Sequence, residues 1–148
     1  MTTPVRFGLV GFGAWGNCHA AAIAQTENAH LTAIAAKSEG SCQLAREAYA
    51  TAAVTNDYHE LVQRADVDVV DIVVPSFLHR DVAVTALEAG KHVLLEKPMA
   101  LTLADCDAIN AAAIANDRIL AVGHELRLSS MWRKVKELID DGFIGTPQ

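Results

Sequence analysis

The chain alternates short apolar runs with longer stretches in which apolar and polar positions recur at helical spacing. The apolar runs at 5–10, 31–36, 53–54, 69–74, 92–95 and 119–122 read as strands. Run 69–74 is nearly all apolar, as a parallel strand covered on both faces requires. Helical stretches fall at 14–25, 41–50, 57–64, 77–89, 103–115 and 130–140. Ser41, Asp57 and Thr102 are placed to cap three of them, and Gly90 and Gly142 to end two others. Pro75 closes the fourth strand and Pro98 breaks the chain after the fifth. The alanine-rich segment 111–113 reads as a helix packed closely on a sheet. Strands alternating with helices through short connections predict an α/β fold: a doubly wound parallel sheet with helices on both faces. Right-handed crossovers give the strand order 3-2-1-4-5-6.

Composition narrows the setting. Of 148 residues, 51% are hydrophobic and 20% charged, which is enough apolar material for one sizeable core. The net charge of −6, with no basic run, argues against nucleic acid and anionic membranes as partners. No apolar run is long enough to cross a bilayer, and the N-terminus lacks the layout of a signal peptide. Cys18, Cys42 and Cys106 are odd in number and widely spaced, which reads as reduced, buried thiols of a cytoplasmic protein. His19, His30 and His59 stand at no metal-ligand spacing with an acid or a cysteine, so no metal is expected.

The first candidate chemistry lies between the first strand and the first helix. Gly11-Phe12-Gly13-Ala14-Trp15-Gly16 matches G-x-G-x-x-G in the strand–turn–helix setting that gives the pattern meaning. Gly11 permits the tight turn, Gly13 lets a pyrophosphate approach the backbone, and Gly16 lets the helix pack near the strand. The free N–H groups at the helix start face the phosphates. This makes the sheet Rossmann-type and the ligand a dinucleotide. The end of the second strand selects among dinucleotides. An acid there would bond a ribose 2′-hydroxyl. The chain instead has Ala35-Ala36-Lys37-Ser38, where a cation and a hydroxyl suit a 2′-phosphate. NADP is therefore expected over NAD. Arg46 reads as a surface residue.

The second lies at the end of the fifth strand, where His92-Val93-Leu94-Leu95 runs into Glu96-Lys97-Pro98. The carboxyl edge of a parallel sheet carries the ligand crevice. A lysine there can donate to a substrate oxygen, and Glu96 either orients Lys97 or pairs with it. Ser76 and His79 follow the fourth strand, close to the same edge, and His79 either bonds a ribose or caps its helix.

In these strings the chain resembles the Gfo/Idh/MocA oxidoreductases. The likeness runs through the glycine turn, Val73-Val74-Pro75-Ser76-Phe77-Leu78-His79 and Ala86-Leu87-Glu88-Ala89-Gly90-Lys91-His92-Val93-Leu94-Leu95-Glu96-Lys97-Pro98. It continues in Gly123-His124-Glu125-Leu126-Arg127 and the helix up to Gly142-Phe143-Ile144-Gly145. The resemblance implies NAD(P)-dependent hydride transfer between nicotinamide and a sugar or polyol. Lys97 would touch both cofactor and substrate, and the Lys97-Pro98 bond would be cis. It also implies that Pro75, Ser76 and His79 line the nicotinamide side and that Trp15 lies near the cofactor. His124 and Arg127 would border a polyhydroxylated substrate, where the arginine fork suits paired oxygens.

By the same likeness, residues 1–125 form the dinucleotide-binding domain. Residues 126–148 form a helix and the start of a connection to a second domain. That domain would supply most of the substrate pocket, an oligomerisation sheet and a histidine in a D-x-x-x-H motif, which this sequence lacks. Apolar surface left for it would favour a homo-oligomer. A non-catalytic nucleotide-binding module or subunit is the rival reading. An S-adenosylmethionine user is a third, against which Glu96-Lys97-Pro98 argues.

Overall fold

The computed structural model describes residues 3–146. The strands are β1 (Val5–Val10), β2 (Ala29–Ala35), β3 (Ala53–Thr55), β4 (Val69–Ile72), β5 (His92–Leu95) and β6 (Leu120–Val122). They form one sheet in the order β3-β2-β1-β4-β5-β6, with every neighbouring pair parallel. The helices are α1 (Ala14–Gln25), α2 (Glu39–Ala48), α3 (Tyr58–Val62), α4 (His79–Glu88), α5 (Leu103–Ala115) and α6 (Ser130–Asp140). The Rossmann-type order is thus observed. The last residues of the connecting segment, Pro147 and Gln148, lie outside the described residues.

Strand alternation sorts side chains onto the two faces. Val70, Ile72, Val93 and Leu95 pack with Val82, Ala83, Ala86 and Leu87 of α4 and Ile109 and Ala113 of α5. Leu9 and Ile34 pack against Ala20 of α1 and Ala45 of α2. Small residues on these helices let them sit close to the sheet. The alanine segment follows this only in part: Ala113 is buried, but Ala111 faces solvent. Cys42 is buried, Cys106 half-buried and Cys18 exposed, and all three are free thiols. The burial expected of each cysteine therefore holds only for Cys42. Among the described residues no helix is long and apolar enough to cross a membrane.

Several boundaries differ from the sequence reading, each for a local reason. The cap of α2 is Ser38, not Ser41: the Ser41 N–H donates to Ser38 Oγ at 3.1 Å, and the helix begins at Glu39. Asp57 and Thr102 do cap α3 and α5. The segment after Pro75 first forms a 3-10 turn over Ser76–Leu78 and becomes α-helical only at His79. Gly90 and Gly142 take positive φ, 76° and 71°, just past the ends of α4 and α6. Helix α6 buries none of its residues. Its apolar side, with Met131, Trp132 and Val135, is open, as are Phe143 and Ile144 beyond it.

The amino edge of the sheet is held by charge. The Arg6 backbone N–H and Nε both donate to Asp68 Oδ2 at 2.9 Å, and Nη2 donates to Oδ1 at 2.6 Å. Nearby, Lys91 Nζ donates to the Arg64 and Val67 carbonyls at 2.7 and 2.9 Å, and burial pushes its pKa down. The Arg6 guanidinium holds the Asp68 carboxyl down to about 2. A depressed carboxyl adds stability above its unfolded value, and that stability is lost as pH falls through the folded value. Both side chains are more than a third exposed, so solvent screens the pair. Asp68→Asn is expected to cost about 1 kcal/mol at neutral pH and to flatten the acid-side loss of stability between roughly pH 4 and 2. Urea unfolding across that range checks it, and an unchanged acid slope would assign the loss to other carboxyls.

Candidate dinucleotide site

β1 pairs with β2 on one side and β4 on the other, and beyond Val10 the chain leaves the sheet between them. The Gly11 N–H still donates to the Ala35 carbonyl, and the Val73 N–H to Val10, each at 2.8 Å. This is the switch point at which connections on the two sides run in opposite directions and a crevice opens.

The three glycines serve different ends. Gly11 has a φ of 104°, and a Cβ on it would collide with the Val73 carbonyl. A Cβ on Gly16 would collide with the Gly11 carbonyl. Both are needed by the fold itself. Gly13 is different: an added Cβ would meet nothing within 4 Å. Gly13 is also the N-cap of α1, and it offers no side-chain cap to the N–H groups of the first turn. The open space and the unclaimed N–H groups leave a cradle that fits a phosphate.

The cradle belongs to a cavity of about 800 Å³. It is lined by Gly11, Phe12 and Gly13, by Lys37 and Ser38 at the end of β2, and by Pro75 with Val73 and Val74 after β4. These residues were singled out in the sequence, and the fold brings them together. The lining also includes Ser41, Asn56 and Tyr58, which sequence reasoning missed as site residues. No motif marks them; Ser41 comes with the first turn of α2, and Asn56 and Tyr58 arrive because β3 lies beside β2. Lys37 and Ser38 are exposed at this wall, and Ser38 Oγ already caps α2 while lying 2.9 Å from Ser41 Oγ. Arg46 is paired with Glu39 at 2.7 Å on the surface.

The remaining candidates lie outside that lining. Ala14 and Trp15 are exposed, Trp15 at 51%, with its ring edge-on to His19. Ser76 lies in the 3-10 turn. His79 is 1% exposed, with its ring nitrogens 2.8 Å from the Pro98 carbonyl oxygen and 2.9 Å from that of Val74. Neither nitrogen is left for a ribose hydroxyl, and its link is to the segment after β5. The expectation of a direct ribose bond from His79 is corrected on that ground.

Lys97 stands exposed at the carboxyl end of β5, and the Lys97-Pro98 bond is cis. Glu96 is 8% exposed, and its carboxylate turns inward instead of toward a ligand. Its Oε2 accepts the Lys97 backbone N–H at 3.1 Å, and its Oε1 lies 3.3 Å from His19 Nε2. His19 Nδ1 donates to Asp71 Oδ2 at 2.8 Å. Asp71 is 1% exposed, in the middle of β4. The hydrogen bond to Asp71 raises the His19 pKa against the opposing effect of burial. His19 and Asp71 were not among the sequence candidates. The signal for them was an aspartate inside an otherwise apolar strand, since a buried carboxylate requires a partner.

His124 and Arg127 are exposed around a 3-10 turn over Glu125–Leu128. Arg127 lines a separate groove of about 580 Å³ with Leu126, Trp132, Arg133 and Lys136. Neither it nor Lys97 lines the glycine cavity. Among the described residues no group of three or more His, Cys, Asp or Glu is placed to hold a metal.

Comparison with known proteins agrees with this architecture. The profile of the oxidoreductase family with an NAD-binding Rossmann fold (GFO_IDH_MocA) matches residues 5–124. The chain is 38% identical over 146 residues to an inositol 2-dehydrogenase of Salmonella typhimurium, covering 97% of this chain and 44% of that protein. The crystal structure of apo scyllo-inositol dehydrogenase from Lactobacillus casei superposes with a TM-score of 0.88 at 32% identity, over 98% of this chain and 44% of that one. Biliverdin reductase from Synechocystis sp. PCC 6803, in complex with biliverdin and NADP+, superposes at 0.86 with 28% identity, over 93% and 43% of the two chains. The chain thus spans less than half the length of these relatives. With its glycine cradle, its sheet order and the matched span, the chain belongs to the Gfo/Idh/MocA oxidoreductase family as an NAD-binding Rossmann domain.

Proposed function

We propose that the chain is the cofactor domain of an NAD(P)-dependent dehydrogenase acting on a polyhydroxylated substrate such as an inositol. The observation that carries the reading is the placement of the open Gly13 cradle and Lys97 along one carboxyl edge of the sheet. The similarity to inositol dehydrogenases supports the substrate class. A bound nicotinamide would accept or supply the hydride. Gly13 and the first turn of α1 would hold the pyrophosphate, and Pro75 and Ser76 would flank the nicotinamide half. Lys97 would donate a hydrogen bond to the reacting oxygen and assist its proton transfer. His124 and Arg127 would hold further hydroxyls. The open apolar side of α6 would pack against a further domain or a second copy, and the free thiols suit a reducing, cytoplasmic setting.

Lys37 and Ser38 make NADP the preferred form, and the NADP+ complex of the Synechocystis relative is consistent with this. Lys37→Ala is expected to weaken NADPH by about tenfold or more and NADH by no more than about twofold. Fluorescence titration with both cofactors reads the difference. Equal losses would make Lys37 a surface charge only, and no binding at millimolar cofactor would defeat the dinucleotide reading. A non-catalytic binding module is favoured by one observation: Arg127 lines a groove apart from the glycine cavity, and Lys97 lines neither of the two. Assays of the native-length protein against a panel of inositols and sugars separate the two, since turnover that vanishes in Lys97→Ala while binding persists excludes the module.

A further inference from the structure

The segment Glu96-Lys97-Pro98 is held from both faces of the sheet. On the face covered by α4, the buried His79 bridges the carbonyl oxygens of Val74 and Pro98. On the opposite face, α1 delivers His19 between two buried carboxylates, Asp71 from β4 and Glu96 from the end of β5. We propose that His19 is a positioning residue for Lys97: bridging Asp71 and Glu96, it fixes the carboxylate that holds the Lys97 backbone amide. The catalytic importance of that placement rests on the reading of Lys97 given above.

The geometry leaves Glu96 little freedom. Its two oxygens face His19 and the Lys97 N–H, and a Cβ built on Gly123 would sit 3.2 Å from Oε1. The bare glycine at the end of β6 is thus matched to that orientation. Asp71 Oδ1 has no hydrogen-bond partner among the described residues, so His19 carries the compensation of that buried charge. The charged groups facing His19 are Asp71 and Glu96, and its own helix adds only the Trp15 ring edge. A ring protonated on both nitrogens donates to both acids. A neutral ring keeps one of these bonds and points a lone pair at the other oxygen. Asp71 raises the folded pKa of His19, so the bridge is complete at low pH and opens as pH rises through that raised value.

The test needs no variant at its core. In the wild-type chain, the His19 ring nitrogens and the Lys97 backbone amide are followed by NMR from acid to alkaline pH. The proposal expects His19 to titrate above the ordinary value of about 6.5, and the Lys97 amide shift to follow the same midpoint. It also expects the Lys97 amide's exchange protection factor to fall by about tenfold across that midpoint. A Lys97 amide indifferent to the His19 titration overturns the proposal. Asp71→Asn should lower the His19 midpoint, and a Lys97 transition that did not move with it would also overturn it. In the native-length protein, His19→Gln should lower kcat by about tenfold while the KM for NADPH stays within about twofold. A side chain that merely stabilised the fold would lower Tm and leave kcat alone. Turnover that depends on Lys97 yet is intact in His19→Gln overturns this inference and leaves the dehydrogenase reading standing. Lys97 coupled to His19 in a protein without turnover retires that reading and leaves the positioning role in place.

Discussion

Gly13→Ala is expected to abolish dinucleotide binding while leaving the fold intact, and Gly11→Ala to destabilise the fold itself. The two residues lie in one turn but answer to different constraints. A methyl group on Gly13 enters empty space, so the folded chain has no reason to resist it. The residue also has a φ of −91°, which alanine adopts readily. The same methyl group would stand where the pyrophosphate must touch the backbone, and affinity should fall by about a hundredfold or more. The apparent melting temperature without cofactor should shift by no more than about 2 °C. Gly11 has no such latitude. Its φ of 104° is costly for any L side chain, and the new Cβ would run into the Val73 carbonyl. Strain and overlap together should cost about 3 kcal/mol or more. Calorimetry and cofactor titration on both variants check the contrast. A Gly13→Ala protein that binds normally would move the phosphate away from this turn.

The contrast also marks what was legible beforehand. The glycine turn, the strand order and the placement of Lys37 and Lys97 rest on local signals: a motif bounded by a strand and a helix, apolar runs of strand length, and a charged residue where a run ends. Such signals survive folding because backbone geometry alone enforces them. The capping of α2 failed for a related reason. Ser38 and Ser41 are both hydroxyl residues three apart, and which one caps depends on where β2 releases the chain, at Ala35. Position near the carboxyl edge leaves His79 between a ribose bond and a helix cap, and Glu96 between orienting Lys97 and pairing with it. Only packing reveals that both point into the protein. The His19 bridge was the least accessible. His19 is 52 residues from Asp71 and farther still from Glu96, and their meeting depends on α1 turning His19 toward the ends of β4 and β5. Asp71, a lone carboxylate within an apolar strand, was the one visible trace of it.

The largest catalytic effect should come from Lys97. In the native-length protein, Lys97→Met is expected to lower kcat by about a thousandfold while the Kd for NADPH changes by no more than about threefold. Methionine keeps the length and most of the volume of the side chain, and Lys97 is exposed, so the fold should not suffer. The separation of kcat from binding follows from the site's layout. The cavity that would hold the dinucleotide is lined by the glycine turn, the end of β2 and the loop after β4, and Lys97 is not part of that wall. Under the proposed function, its ammonium would act where the substrate oxygen gains or loses a proton. Lys97→Arg should recover little. The guanidinium keeps the charge, but it does not give up a proton at any working pH, and its planar fork does not fit where a compact ammonium stood. Single-turnover hydride transfer, measured with a 4-deuterated cofactor, distinguishes chemistry from product release. A full isotope effect in Lys97→Met with unchanged cofactor affinity places the lysine at the chemical step. A parallel loss of NADPH affinity and rate would instead make Lys97 a cofactor-binding residue and leave the proton transfer to another group.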